Sequence, residues 1–240
     1  MTSQSFDLDY KRQQALLWLG NYLKDKSTPI EIDHMVDKVI RTAASLPDGS
    51  LYGFVSPPKN KYILLDKIPF WKQTDNYRDG NRTCFSSTCA MMVKHFVPGK
   101  IGNDDEYVKK VFFLGDTTDP TVQIRVLKNY GLTPVYSQKL DFSDLDRELE
   151  AGNPIAIGFL HRGPAYAPTG GHWALVVGRT EDQKAYILND PYGSIGDGYT
   201  GPVERGYHVQ YSKDMLSRRW LVEGSKSGWG ITATLSDEYS

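Results

Sequence analysis

The chain has 240 residues, is 40% hydrophobic and 24% charged, and carries a formal net charge of -1. That composition fits a folded protein with one good core and a smaller accessory segment, and argues against disorder. A near-neutral balance without a dense basic stripe gives no electrostatic case for nucleic acid, and no apolar stretch has the length to cross a bilayer.

The first nine residues, Met1 to Asp9, are polar and acidic and do not read as a signal peptide, so synthesis in the cytosol is expected. From about Asp9 to Ala44, Ala15, Leu16, Trp18, Leu19, Tyr22 and Leu23 recur near helical spacing. Ile32, Met35, Val36, Val39 and Ile40 do the same. Thr28-Pro29 separates the runs, with Pro29 suited to a first helical turn, so residues 1–58 are expected to form a helical accessory segment or brace. Pro47-Asp48-Gly49-Ser50 and Ser56-Pro57-Pro58 mark the boundary.

Beyond it, Tyr62 to Leu65 and Ile68 to Trp71 read as short extended pieces leading to Gln73 and a polar loop, Thr74 to Arg82. A helix is expected from Cys84 to about Phe96, followed by helices near 104–113 and 121–130 and an extended segment after Gly131. Ser143 suits the N-cap of a further helix, with Asp146 in its first turn, and Gly152-Asn153-Pro154 ends it. Strands follow at Ile155 to Leu160, Trp173 to Gly178 and Ala185 to Leu188. The tail is expected to supply edge strands such as His208 to Tyr211. Helices first and an antiparallel sheet second make an α+β fold.

Cys84 stands where that helix begins. Unpaired N–H groups and the positive end of a helix dipole favour thiolate over thiol, and thiolate is the reactive form. Cys89 is five residues on, about 7.5 Å along a helix axis, too far for a disulfide, and it reads as a buried small hydrophobe. Two cysteines without metal-ligand spacing make no zinc site, and no cofactor is expected.

Gly170-Gly171-His172 leads into a buried strand, and the next strand ends in Asn189-Asp190-Pro191. A nucleophilic cysteine needs an imidazole to hold it as an ion pair and to protonate the leaving amine, and a third group to fix the imidazole's tautomer. Alternation puts Asn189 and Asp190 on opposite faces, so one of them can serve; the pattern does not choose. Donors for the oxyanion would be the N–H of Cys84 and the Gln73 side chain. His34, His95, His161 and His208 are assigned no role.

Four blocks, 68–76 (IPFWKQTDN), 84–93 (CFSSTCAMMV), 171–173 (GHW) and 189–193 (NDPYG), resemble the C39-like peptidases of the papain-like superfamily over roughly residues 62 to 211. The resemblance implies a papain-like fold over residues 59–240, with a Cys–His–Asp triad and an oxyanion glutamine on Cys84, His172, Asp190 and Gln73. It takes Asp190 over Asn189. The family's common Cys-Gly-Pro-Thr-Ser element is Cys84-Phe85-Ser86-Ser87-Thr88 here. The family includes leader-peptide processing domains of transporters and stand-alone members associated with cell walls or phages. The chain resembles a stand-alone lysin, which implies cleavage of peptidoglycan stem peptides or cross-bridges after release to the wall. Arg162 and Tyr166, in the glycine-rich segment before His172, are expected to border the cleft. Other readings are a general or leader-peptide-processing protease, an acyltransferase on the same residues, and a non-catalytic wall- or peptide-binding module.

Overall fold

The structure, a computed structural model, describes residues 62–65 and 67–236. The helical segment expected over residues 1–58 lies outside the described residues. Three helices come first: α1 (Cys84–Phe96), α2 (Asp104–Leu114) and α3 (Pro120–Asn129). The short β1 (Ile63–Leu64) precedes them. Then come β2 (Leu132–Leu140), α4 (Phe142–Glu150), β3 (Ile155–Arg162), β4 (Thr169–Arg179), β5 (Ala185–Asn189), β6 (Val209–Ser212), α5 (Lys213–Arg219) and β7 (Gly228–Leu235). The pairing is antiparallel throughout, in the order β2-β7-β3-β4-β5-β6, with β1 added to β4.

Both faces of this sheet are covered. Ala156, Leu175, Val177 and Ile187 face one apolar cluster with α1, α2 and α3. Their neighbours Ile157, Ala174, Val176 and Leu188 face a second cluster with α4 and α5. Successive strand residues point to opposite faces, so burial on both sides turns the sequence pattern from alternating to continuous. Helix α1 is itself buried from Phe85 to Val93. Its small residues Ser86, Ser87, Thr88, Cys89 and Ala90 let neighbouring elements approach closely, and each hydroxyl finds a partner. Ser86 meets Thr117 at 2.6 Å, Ser87 donates to Asp104 at 2.7 Å, and Thr88 donates to the Trp173 carbonyl at 3.1 Å.

Several expectations change. The N-cap of α4 is Asp141, not Ser143: Asp141 accepts from the Ser143 N–H, and Asp144 reaches back to the Asp141 N–H in a capping box. Asp144 therefore occupies the first turn, while Asp146 bonds Tyr186 and Arg179. Residues 68–71 form no strand. The glycine-rich segment before His172 is strand at both ends, because β3 and β4 pair as far as Arg162 and Thr169 and leave 163–168 as the loop. The tail supplies the edge strand β6, and also β7, which lies inside the sheet between β2 and β3.

One glycine is required for the layers to close. A Cβ on Gly158 would meet Trp229 Nε1 at 2.0 Å and Trp173 Cε2 at 3.0 Å, so only glycine lets both indoles lie across β3.

Candidate active site

Cys84 is the first residue of α1, half-buried, and a free thiol. Asn103, Asp119, Asp141 and Ser212 cap the other four described α-helices with side-chain oxygens, whereas α1 has no side-chain cap. The hydroxyl oxygen of its N-cap residue, Thr83, lies instead 2.9 Å from the Asn76 amide and 3.4 Å from the carbonyls of Gln73 and Gly80. The first N–H groups of α1 are therefore left free for a negative charge.

His172 lies on β4 opposite Phe159 and is 3% exposed. Two contacts between neighbouring residues bring it to Cys84. Phe85 stacks on Trp173, with centroids 3.6 Å apart and planes 4° from parallel, and the Thr88 hydroxyl holds the Trp173 carbonyl. The sulfur then lies within hydrogen-bonding reach of the imidazole. The other side of the ring is taken, since Nε2 is 2.6 Å from Asp190 Oδ1, which leaves Nδ1 for the sulfur. Burial disfavours the imidazolium, but the Asp190 carboxylate, the Cys84 sulfur and hydrogen bonds to both overcome it and raise the imidazole to about 10.

Asp190 is fully buried, and four donors converge on it. Oδ1 also accepts from the Tyr192 N–H at 3.0 Å, and Oδ2 accepts from Tyr199 at 3.0 Å and Tyr211 at 2.6 Å. Burial and the adjacent carboxylate push both phenols well above their usual range, so they remain donors at working pH. The Asp190 backbone is fixed by its N–H to the Gly206 carbonyl at 2.9 Å. A Cβ on Gly206 would come within 2.0 Å of the Asp190 carbonyl oxygen. Asn189, the alternative third member, points elsewhere: its amide donates to the Pro69 carbonyl and accepts from the His208 N–H, both at 3.2 Å.

Gln73 opens a short 3-10 turn and is buried. Its N–H donates to the Pro191 carbonyl at 3.0 Å, which ties it to the Asp190 segment. Its side-chain Nε2 donates to the Gly80 carbonyl at 2.8 Å, and Oε1 has no hydrogen-bond partner. A carboxamide nitrogen carries two hydrogens, so one remains uncommitted. The four sequence candidates are thus assembled by α1, β4, the turn after β5 and the loop before α1. Among the described residues, no group of three His, Cys, Asp or Glu side chains converges to hold a metal ion.

The profile of the Peptidase_C39 like family matches residues 65–224, two thirds of the chain. The chain belongs to that family. Among solved structures it is similar to a putative C39-like peptidase from Bacillus anthracis, at 16% identity and a TM-score of 0.51, covering 72% of this chain and 98% of that one. It is also similar to the peptidase domain of Streptococcus ComA, a bi-functional ABC transporter involved in a quorum-sensing pathway, at 17% identity and a TM-score of 0.44, covering 67% and 95%. No curated protein matches. The chain is a C39-like cysteine peptidase with a papain-like α+β fold. Among its described residues no helix is long and apolar enough to cross a membrane.

In this C39-like peptidase the departure at Phe85, where the common family motif has glycine, coincides with the stack on Trp173. Sequence reasoning missed Tyr199 and Tyr211; a tyrosine-rich stretch soon after Asp190 was the available signal. It also passed over His161, whose ring centroid lies 5.1 Å from that of His172. His161 Nδ1 is 2.6 Å from the Gly170 carbonyl, and its Nε2 accepts from Arg162 at 3.3 Å, an arrangement that suits a neutral ring. Burial and the His172 charge lower its proton affinity.

Proposed function

We propose that this C39-like peptidase hydrolyses peptide bonds through Cys84, His172 and Asp190, with Gln73 and the Cys84 N–H receiving the oxyanion. The single observation that carries the reading is the buried Asp190–His172 contact at 2.6 Å, with the opposite ring nitrogen left for Cys84. In the resting pair His172 holds the proton. The Cys84 sulfur attacks the carbonyl carbon, and the carbonyl oxygen takes the negative charge. His172 then gives its proton to the departing amine, leaving a thioester, which water hydrolyses with His172 now acting as base. Asp190 holds the ring in one tautomer.

For the substrate we put peptidoglycan stem peptides or cross-bridges first, following the resemblance to stand-alone lysins. The turn end of the β3–β4 hairpin, upstream of His172 on β4, presents Arg162 and Tyr166 to solvent, chemistry suited to a peptide or glycan. Incubation with purified sacculi of several chemotypes, read by mass spectrometry, tests this. New free amino groups on stem peptides, absent with Cys84→Ala, are expected. Cleavage of ordinary peptides with no release from any sacculus would reject the wall substrate and favour a general or leader-peptide protease. Transfer of the acyl group to an added amine would favour the acyltransferase. Equal slow alkylation of Cys84 and Cys89 would favour a binding module.

A further inference from the structure

Resting on the reading that Gln73 helps receive the oxyanion, we infer that Asp104 is a positioning residue for that side of the site. It acts through Asn76, Ser87 and Thr83, and its proton state decides how firmly the Gln73–Gly80 loop is tied to the N-terminus of α1.

Asp104 opens α2 and is 6% exposed, buried against α1. Its Oδ2 accepts from the Ser87 hydroxyl at 2.7 Å. Between it and the active site lies the Asn76 carboxamide. One terminal atom of that group is 2.9 Å from both Thr83 Oγ1 and Ser87 Oγ; the other is 3.1 Å from Asp104 Oδ2 and 3.3 Å from Asp105 Oδ1. Thr83 Oγ1 in turn lies 3.4 Å from the carbonyls of Gln73 and Gly80, and the Gly80 carbonyl also receives the Gln73 amide. A continuous hydrogen-bonded path thus runs from Asp104 to the oxyanion glutamine.

The orientation of a carboxamide is set by its neighbours. An ionised Asp104 can only accept, so the Asn76 NH₂ must face it and the Asn76 oxygen must face Thr83 and Ser87. The Thr83 proton then goes to Asn76, away from the loop carbonyls. A neutral Asp104 donates its own proton to the Asn76 oxygen. The amide turns over, giving up its longer 3.3 Å contact with Asp105, which keeps the Tyr77 N–H; its NH₂ meets the Thr83 and Ser87 oxygens, and the Thr83 proton is released toward Gln73 and Gly80. One proton on Asp104 therefore reverses the Thr83 hydroxyl.

The ionisable groups that bear on Asp104 are Asp105 on its own helix and Asp75 in the Gln73 turn; α1 faces it with the Ser87 hydroxyl. Burial above all, with those two carboxylates adding and the Ser87 hydrogen bond opposing, raises Asp104 to about 6. The reversal falls at mildly acidic pH, with the loop held more firmly on the acid side.

The test is the pH dependence of kcat and KM on a peptide substrate, with Cys84→Ala as the control that the reaction is the one proposed. Wild-type kcat is expected to fall by about threefold to tenfold through an inflection near pH 6, the effect of one hydrogen bond. Asp104→Asn, a permanently neutral partner, should lose the inflection and keep the acid-side kcat. Thr83→Val breaks the path while leaving Asp104 free to ionise, so it should lose the inflection and sit at the lower level. The pH profile of Cys84 alkylation by iodoacetamide, which develops no oxyanion, should be the same in all three. Persistence of the inflection in either variant, or an alkylation profile that shifts together with kcat, would overturn the inference. Peptide hydrolysis that survives Cys84→Ala would overturn the reading beneath it. If Asp104→Asn does not fold, Thr83→Val decides alone.

Discussion

Asp190→Asn is the sharpest single perturbation of this site. It removes one charge at nearly constant volume, and the new amide can still meet four partners. Its oxygen accepts from His172 and the Tyr192 N–H, and its NH₂ faces the Tyr199 and Tyr211 hydroxyls, which can rotate to accept. What it cannot replace is the field. Raising a buried imidazole from 6.5 to about 10 represents about 5 kcal/mol of preference for the charged form, and the Asp190 carboxylate leads the causes that raise it. Without it, burial dominates, and His172 should fall below its ordinary value. The resting imidazolium is then lost at neutral pH, and the amide can also hold the wrong tautomer. A drop in kcat/KM on the order of 10⁴-fold is expected, in keeping with what the same change does to other triads. The assay is peptide hydrolysis beside the pH profile of Cys84 alkylation. Stability carries a second signature. A group raised on folding contributes stability that is complete below its unfolded value of 6.5 and is lost as pH climbs toward about 10, and Asp190→Asn should abolish that alkaline decline. A variant within about tenfold of wild type, with an unchanged alkylation profile, would refute the reasoning.

Gln73→Ala should lower kcat by about 10²-fold to 10³-fold with little change in KM, as expected for a lost oxyanion donor, while Cys84 alkylation keeps its wild-type rate. A parallel fall in alkylation would mean that Gln73 shapes the nucleophile instead. Phe85→Ala removes the stack on Trp173 from a buried position and should cost about 3–5 kcal/mol in urea unfolding. It should also slow alkylation, because the pairing of Cys84 with His172 depends on that contact; a destabilised variant with normal alkylation would show that the sheet alone sets the alignment. Asp104→Asn should stabilise the protein at neutral pH. A carboxyl raised from 3.8 to about 6 costs stability as pH rises through that window, up to about 3 kcal/mol above it. Denaturation midpoints of variant and wild type should therefore converge below about pH 4, and a variant less stable at neutral pH would contradict the burial of that charge.

Helix α1 was legible, from Cys84 to about Phe96, because a run of small and apolar residues ends at a charged, breaker-rich loop. The strand cores at 155–160 and 185–188 were legible for a related reason: burial on both faces leaves an uninterrupted apolar run. β7 carried no such mark. Its glycines at 228 and 230 dilute the pattern, and they are there because Trp220 and the Ala156 backbone press against them. Its central place is set by register with β2 and β3, where Ile231 pairs with both Tyr136 and Ala156. Helix α5 is seven residues long with one buried position, Leu216, too short to show a period. Asp104 reads in sequence as an ordinary acidic residue near a helix start; only the packing of α1 makes it a buried group. The same limit applies to the acid of the proposed triad. Alternation could say that Asn189 and Asp190 diverge, but the face that accepts a charge is the one with donors waiting. Those donors come from Tyr192, Tyr199 and Tyr211, and Tyr199 holds a backbone φ of 59° to reach it. The tail that returns to form β6 therefore does more than extend the sheet. It carries the Tyr211 hydroxyl that donates to the fully buried Asp190 carboxylate, whose charge is the leading cause that raises His172.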